Sequence, residues 1–117
     1  MNIEGFRAYC LAKKGVTEEF PFDANTLVYK VMGKMFALTD LDNFESVNLK
    51  ADPEQVMLLQ ERFSAVLPGY HMNKKHWISV MLDGTLKDSL ICEWIDDSYN
   101  LVSASLPKKD REILKEL

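Results

Sequence analysis

Apolar residues recur at helical spacing in NIEGFRAYCLAKKG, where Ile3, Phe6 and Cys10 share a face, so a helix is expected there. Asn2 suits its start, Lys13 and Lys14 suit its negative end, and Gly15 suits a left-handed stop. VTEEFPFD reads as a connection, because Pro21 disfavours helix just before it. The period then changes. In TLVYKVMGKMFALTD, Leu27, Tyr29 and Val31 point one way and Val28 and Lys30 the other, with Phe36 and Leu38 again two apart. Gly33 between the runs marks a tight turn, so a β-hairpin is predicted. SVNLKA gives a third strand, with Val47 and Leu49 inward and Asn48 and Lys50 outward.

ADPEQVMLLQERFSAVL carries the clearest helix start: Asp52 as N-cap, Pro53 at the first position and Gln55 three after the cap. Val56, Leu59, Phe63 and Val66 form the expected buried stripe, and Pro68-Gly69 ends it. Ile78, Val80 and Leu82 then alternate with Trp77, Ser79 and Met81, which predicts a strand. The polar NKK before it reads as a hairpin tip, with Tyr70 to Met72 as a short partner strand. TLKDSLICEWIDDSYNLVSAS is a long helix in which Thr85 and Asp88 have capping-box spacing and Ile91, Ile95 and Val102 share a face. Pro107 opens a last short helix, packed through Ile113, Leu114 and Leu117. The predicted order is α-β-β-β-α-β-β-α-α, in one domain over residues 1–117. Strands joined by short turns make an antiparallel sheet, and the helices around it make the fold class α+β, in two layers.

A chain of 117 residues can bury a core without disulfides or metals. The net charge of −4 counts against a dedicated nucleic-acid binder, which is usually basic. A local basic patch remains open, because binding responds to the field at the contact surface. The stretch from Arg62 to Leu82 has 21 residues and no Asp or Glu, where average density would place about three. It contains PGYHMNKKHWISVML, with both histidines, Lys74 and Lys75.

His71 and His76 lack the one-face helical spacing of a zinc pair, and no Cys or acid in the stretch completes a ligand set. They are expected to brace the hairpin through hydrogen bonds with Asn73 or Trp77. No serine sits in a nucleophile elbow and no Gly-rich phosphate loop exists. Asp96 and Asp97 are adjacent on a helix, point about 100° apart and read as a solvated face. No enzymatic activity, metal or cofactor is therefore expected. Cys10 and Cys92 fit free thiols. MNIEG has no apolar h-region, and no run approaches the roughly 18 apolar residues of a membrane span. The expectation is a cytoplasmic protein without a membrane partner.

HMNKKHW, LDG, the Ser98-Tyr99 pair and LPKKDR, with GVTEEFPF earlier, resemble the MmcQ/YjbR family of bacterial proteins from Phe6 to Arg111. The resemblance implies a small α+β fold of the secretion-chaperone-like or frataxin-like group. It also implies DNA binding through a winged β-hairpin. Frataxin-like iron binding uses acidic ridges, and the first helix carries only Glu4, so that function does not transfer. On this reading His71, Asn73, Lys74, Lys75, His76, Lys108 and Lys109 make the contact surface for double-stranded DNA. Lys74 and Lys75 would meet phosphates and Asn73 would add a polar contact. Lys108 and Lys109 oppose the macrodipole at a helix start, so their placement either has another reason or is indifferent because they are solvated. The alternative is a chaperone-like or regulatory module that binds a protein partner through its sheet, with six methionines as an adaptable apolar surface.

Overall fold

The computed structural model describes residues 1–117. The chain runs α1 (Ile3–Leu11), β1 (Val16–Glu19), β2 (Thr26–Val31), β3 (Lys34–Asp40), β4 (Ser46–Lys50), α2 (Pro53–Arg62), β5 (Val66–Pro68), β6 (Trp77–Met81), α3 (Asp88–Ala104) and α4 (Lys108–Glu116). The strands form one antiparallel sheet in the order β1-β2-β3-β4-β6-β5. Strand alternation places Leu27, Tyr29, Val31, Val47, Leu49, Ile78 and Val80 in a core shared with Phe6 and Cys10 of α1, Val56 of α2 and Ile91, Ile95 and Val102 of α3. The opposite sheet face carries a smaller cluster of Val28, Leu38 and Trp77, with Met35 and Met72 packed on it. The α+β class and the two layers stand as predicted.

One strand more is present than the sequence pattern indicates. Val16–Glu19 is not a connection but an edge strand, pairing Val16 with Val31 and Glu19 with Val28. It hid because it is four residues long and one of its core-facing positions is an acid, Glu18. Glu18 accepts two hydrogen bonds from the Arg7 guanidinium, at 2.8 and 3.0 Å, and one from the Tyr29 hydroxyl at 2.6 Å. The hydrogen bond from Arg7 holds the Glu18 carboxyl below the usual carboxylate range, while burial and the Glu18 contact push the Tyr29 phenol up.

The turn after β2 uses Met32 and Gly33, both at positive φ (49° and 86°), the two-residue geometry that matches strand twist. Asn2 caps α1 by accepting from the Gly5 N–H, and Asp52 caps α2 by accepting from the Glu54 N–H. Gln55 returns no bond to complete a capping box. α2 stops at Arg62 because Phe63 is extended, so Val66 belongs to β5 opposite Val80 rather than to a helical stripe. α3 starts after Lys87 without a side-chain cap; the Thr85 hydroxyl instead donates to Asp83 at 2.6 Å. In α4 only Leu114 packs on the core, against Gly15, while Ile113 and Leu117 are exposed.

α3 is tied down by polar groups. The Ser98 hydroxyl, fully buried, donates to the Phe36 carbonyl at 2.6 Å and accepts from the Lys50 N–H at 2.9 Å. Asp96 is not part of a solvated face: it accepts from the Tyr9 hydroxyl at 2.7 Å and pairs with Lys13, whose ammonium also lies over the Tyr9 and Tyr99 rings. Burial raises Asp96, but the Lys13 and Tyr9 hydrogen bonds outweigh it and hold the carboxyl low. Tyr9 is pushed up to about 12 by its bond to Asp96. Burial pushes the Cys10 thiol up to about 12, whereas Cys92 is half-buried; both are free.

These carboxylates set the response to acid. A folded-state pKa below the unfolded one contributes stability that is present at neutral pH and lost as the group protonates. Stability is expected to fall progressively below about pH 5, down through the lowered values of Glu18 and Asp96. Urea midpoints across a pH series check this. Glu18→Gln should flatten the acid limb, and an unchanged limb would remove this cluster as a cause.

Candidate nucleic-acid interface

The residues from Gly69 to His76 form an eight-residue loop joining β5 to β6. Tyr70 to Met72 is not a strand, and the loop is not an extended wing; the partner of β6 is β5, with Pro68 opposite Ile78. The chain folds back on itself here. The Gly69 N–H donates to the Trp77 carbonyl, and the Met72 N–H to the Gly69 carbonyl. A side chain at Gly69 would place Cβ 2.7 Å from the Trp77 Cβ, so only glycine allows this approach. His71 then takes a left-handed conformation at φ 59°.

Asn73 does the bracing that the sequence assigns to the histidines. Its Oδ1 accepts from the Lys75 N–H at 3.0 Å, and its carbonyl accepts from the N–H groups of His76 and Trp77. The Ser79 hydroxyl holds the other limb, accepting from the Tyr70 N–H at 2.9 Å and donating to Asn48. Neither imidazole makes a hydrogen bond; the His71 ring lies against Tyr70, and the His76 carbonyl accepts from the Ala51 N–H. Lys74 and Lys75 are left exposed at the surface.

Antiparallel pairing decides what lies beside them. One end of the sheet holds the β2–β3 turn, the end of β4, the start of β6 and the Gly69–His76 loop. It therefore collects Lys34, Lys50, Lys74 and Lys75, with Lys14 where α1 ends. A groove of about 440 Å³ at this end is lined by Lys30, Lys34, Lys50 and Trp77 together with Ser105, at the end of α3. Lys108 and Lys109 follow Ser105 as the exposed first residues of α4, so the same end receives them. None of Lys34, Lys50, Lys74, Lys75, Lys108 or Lys109 makes an ion pair, while Lys30 pairs with Glu19. Most acids of the sheet's loops lie elsewhere. Asp23, Asp40, Asp42, Glu45, Asp83 and Asp88 occupy the loops and helix start at the opposite end. Asp52, Glu54, Asp97 and Asp110 are exceptions, and Asp52 and Asp97 share a cavity lining with Lys50.

The sequence reading found the Lys74-Lys75 and Lys108-Lys109 pairs but missed Lys34 and Lys50, which join them only through sheet register. No group of three or more His, Cys, Asp or Glu side chains is placed to hold a metal. No helix is long and apolar enough to cross a membrane.

Fold and site together define a two-layer α+β domain with helices on one sheet face and a cationic end. The YjbR family model matches residues 11–101. The chain is 37% identical over 118 residues to the uncharacterized protein YjbR of Escherichia coli strain K12, covering 100% of each. It is 42% identical over 94 residues to the uncharacterized protein YbdF of Escherichia coli O157:H7, covering 80% of this chain and 77% of that one. A crystal structure of a Deinococcus radiodurans protein with a DUF419 domain matches at TM-score 0.88 and 40% identity, over 97% of this chain and 88% of that one. The chain belongs to the YjbR family.

Proposed function

We propose that this protein is a non-enzymatic, cytoplasmic protein that binds duplex DNA weakly through its cationic end. One observation carries the reading: the unpaired lysines Lys34, Lys50, Lys74, Lys75, Lys108 and Lys109 gather at one end of the sheet, and most of the loop acids lie at the other. A net charge of −4 is then no obstacle, because phosphates meet the local field. Lys74 and Lys75 neutralise phosphates, and the Asn73 amide nitrogen is free for a polar contact because its oxygen holds the loop. Few phosphate contacts give low affinity and a modest salt dependence.

The double variant Lys74→Ala, Lys75→Ala should weaken binding equally across duplex sequences and lower the salt slope of log K by about two. Fluorescence anisotropy with two unrelated duplexes at several salt concentrations reads both. An unchanged affinity at low salt would take this surface out of the proposal.

A second reading has its own observation. No helix residue packs on the cluster of Val28, Leu38 and Trp77, and Phe20, Phe22 and Tyr70 are 45%, 63% and 71% exposed. Such aromatics suit a chaperone-like or regulatory module that docks a protein partner. Sedimentation with and without duplex DNA separates the readings: salt-sensitive co-migration with DNA supports the first, and a salt-insensitive protein complex supports the second.

A further inference from the structure

α2 packs on β5 and α3 packs across β2, β3 and β4, so the two helices part above β6. The gap holds a cavity of about 180 Å³. Leu59 of α2, Ile78 of β6 and Trp94 and Leu101 of α3 give it an apolar lining. Lys50, Gln55 and Asp97 also line it, and none of these three side chains has a hydrogen bond or ion pair within the protein.

Trp94 adds an independent sign of a ligand. It is only 7% exposed, yet its indole N–H donates to no group of the protein. No polar side-chain atom is sealed in the core without a partner, so this N–H reaches open space. Trp94 lines this cavity. The Gln55 backbone N–H, in the first turn of α2, likewise has no partner.

The polar groups on the lining without a partner in the protein are of both kinds. The Trp94 indole, the Gln55 N–H and the Lys50 ammonium are donors. Asp97 is a negatively charged acceptor. Covering these groups with an apolar guest would strip their water without replacing it, a simple carboxylate would answer only the donors, and a simple amine would answer only Asp97. The geometry points to a small zwitterion with an aliphatic body, an α-amino acid of the size of valine or leucine. Its side chain lies on Leu59, Ile78 and Leu101, its carboxylate meets the donors, and its ammonium meets Asp97. Asp52, whose Oδ1 accepts from the Glu54 N–H, adds a second negative charge that favours the ammonium. Size agrees: the cavity equals about six water volumes at roughly 30 Å³ each. It is too small for the drug-sized ligands that fill roughly 300–1,000 Å³. None of this rests on DNA contacts.

A heteronuclear NMR titration of the full chain with leucine tests it. The expected result is a dissociation constant on the order of 1 mM, with shifts confined to Gln55, Leu59, Asp97 and the Trp94 indole N–H. Asp97→Asn lies at an exposed position and should fold normally, yet bind at least tenfold more weakly. Trp94→Phe keeps the ring in the core and should weaken binding several-fold. Isocaproate, which lacks the ammonium, and isoamylamine, which lacks the carboxylate, should each bind at least tenfold more weakly than leucine. The proposal fails if saturating leucine leaves the cavity signals unmoved, if either single-charge analogue binds as tightly, or if Asp97→Asn binds leucine unchanged.

Discussion

Phe6→Ala is expected to destabilise the fold by about 3–5 kcal/mol, the range for a large aromatic removed from a core. Phe6 is fully buried on α1. Its ring meets Tyr29 edge-on at 5.5 Å and Phe44 at 5.6 Å. One side chain thus joins the first helix to the second strand and to the β3–β4 connection. Deletion also loosens the Tyr29 ring, whose hydroxyl bonds Glu18, so β1 should lose protection together with α1. Urea unfolding with an unchanged m-value would measure the loss. Amide exchange would place it. A loss below about 1 kcal/mol would mean that α1 is a dispensable cover rather than part of the core.

Ser98→Ala should cost about 2–4 kcal/mol although it deletes a single oxygen. β3 and β4 pair from Ala37–Leu49 to Thr39–Val47, and beyond Ala37 the strands part. The Ser98 hydroxyl fills the place of the missing ladder bonds, between the Phe36 carbonyl and the Lys50 N–H. Alanine leaves both backbone groups without a partner at a buried site. The same variant frees the chain at Lys50, so the cationic end should lose order as well as stability. Ser98→Thr keeps the hydroxyl and should recover part of the loss. If alanine is as stable as serine, water replaces the hydroxyl and the clasp is not needed.

Much of this fold can be read from the residues because local and tertiary demands agree. β2, β4 and β6 alternate since each has one face on the main core, whereas a bulge at Phe36 breaks the period of β3, so that Phe36 and Ala37 both reach that core and Leu38, two residues after Phe36, lies on the opposite face. Asn2 and Asp52 announce helix starts because short polar side chains satisfy orphan N–H groups. The misreadings have a common physical origin. Glu18 and Val66 belong to short edge strands, where four and three residues are too few to establish a period. Leu114 packs on the core while Ile113 and Leu117 stay exposed, a choice made by how α4 docks as a whole and not by its own period. The candidate site was legible only in part. A lysine pair is visible in any sequence, but bracing by Asn73 rather than by His71 or His76 depends on how the loop closes. The meeting of Lys34 and Lys50 with that loop depends on strand pairing across long sequence separations.

The gathering of unpaired lysines at one end and of most loop acids at the other makes the charge uneven along a net negative body. At about 0.01 M salt the Debye length is about 30 Å, comparable with the molecule's longest dimension of 39 Å. A polyanion then senses the whole charge of −4, and the acidic end offsets much of the pull of the basic one. At about 0.15 M the screening length shrinks to about 8 Å, and only the end that faces the polyanion is felt. Encounter rates should therefore flatten at low ionic strength instead of rising steeply, and the protein should arrive already oriented, lysines first.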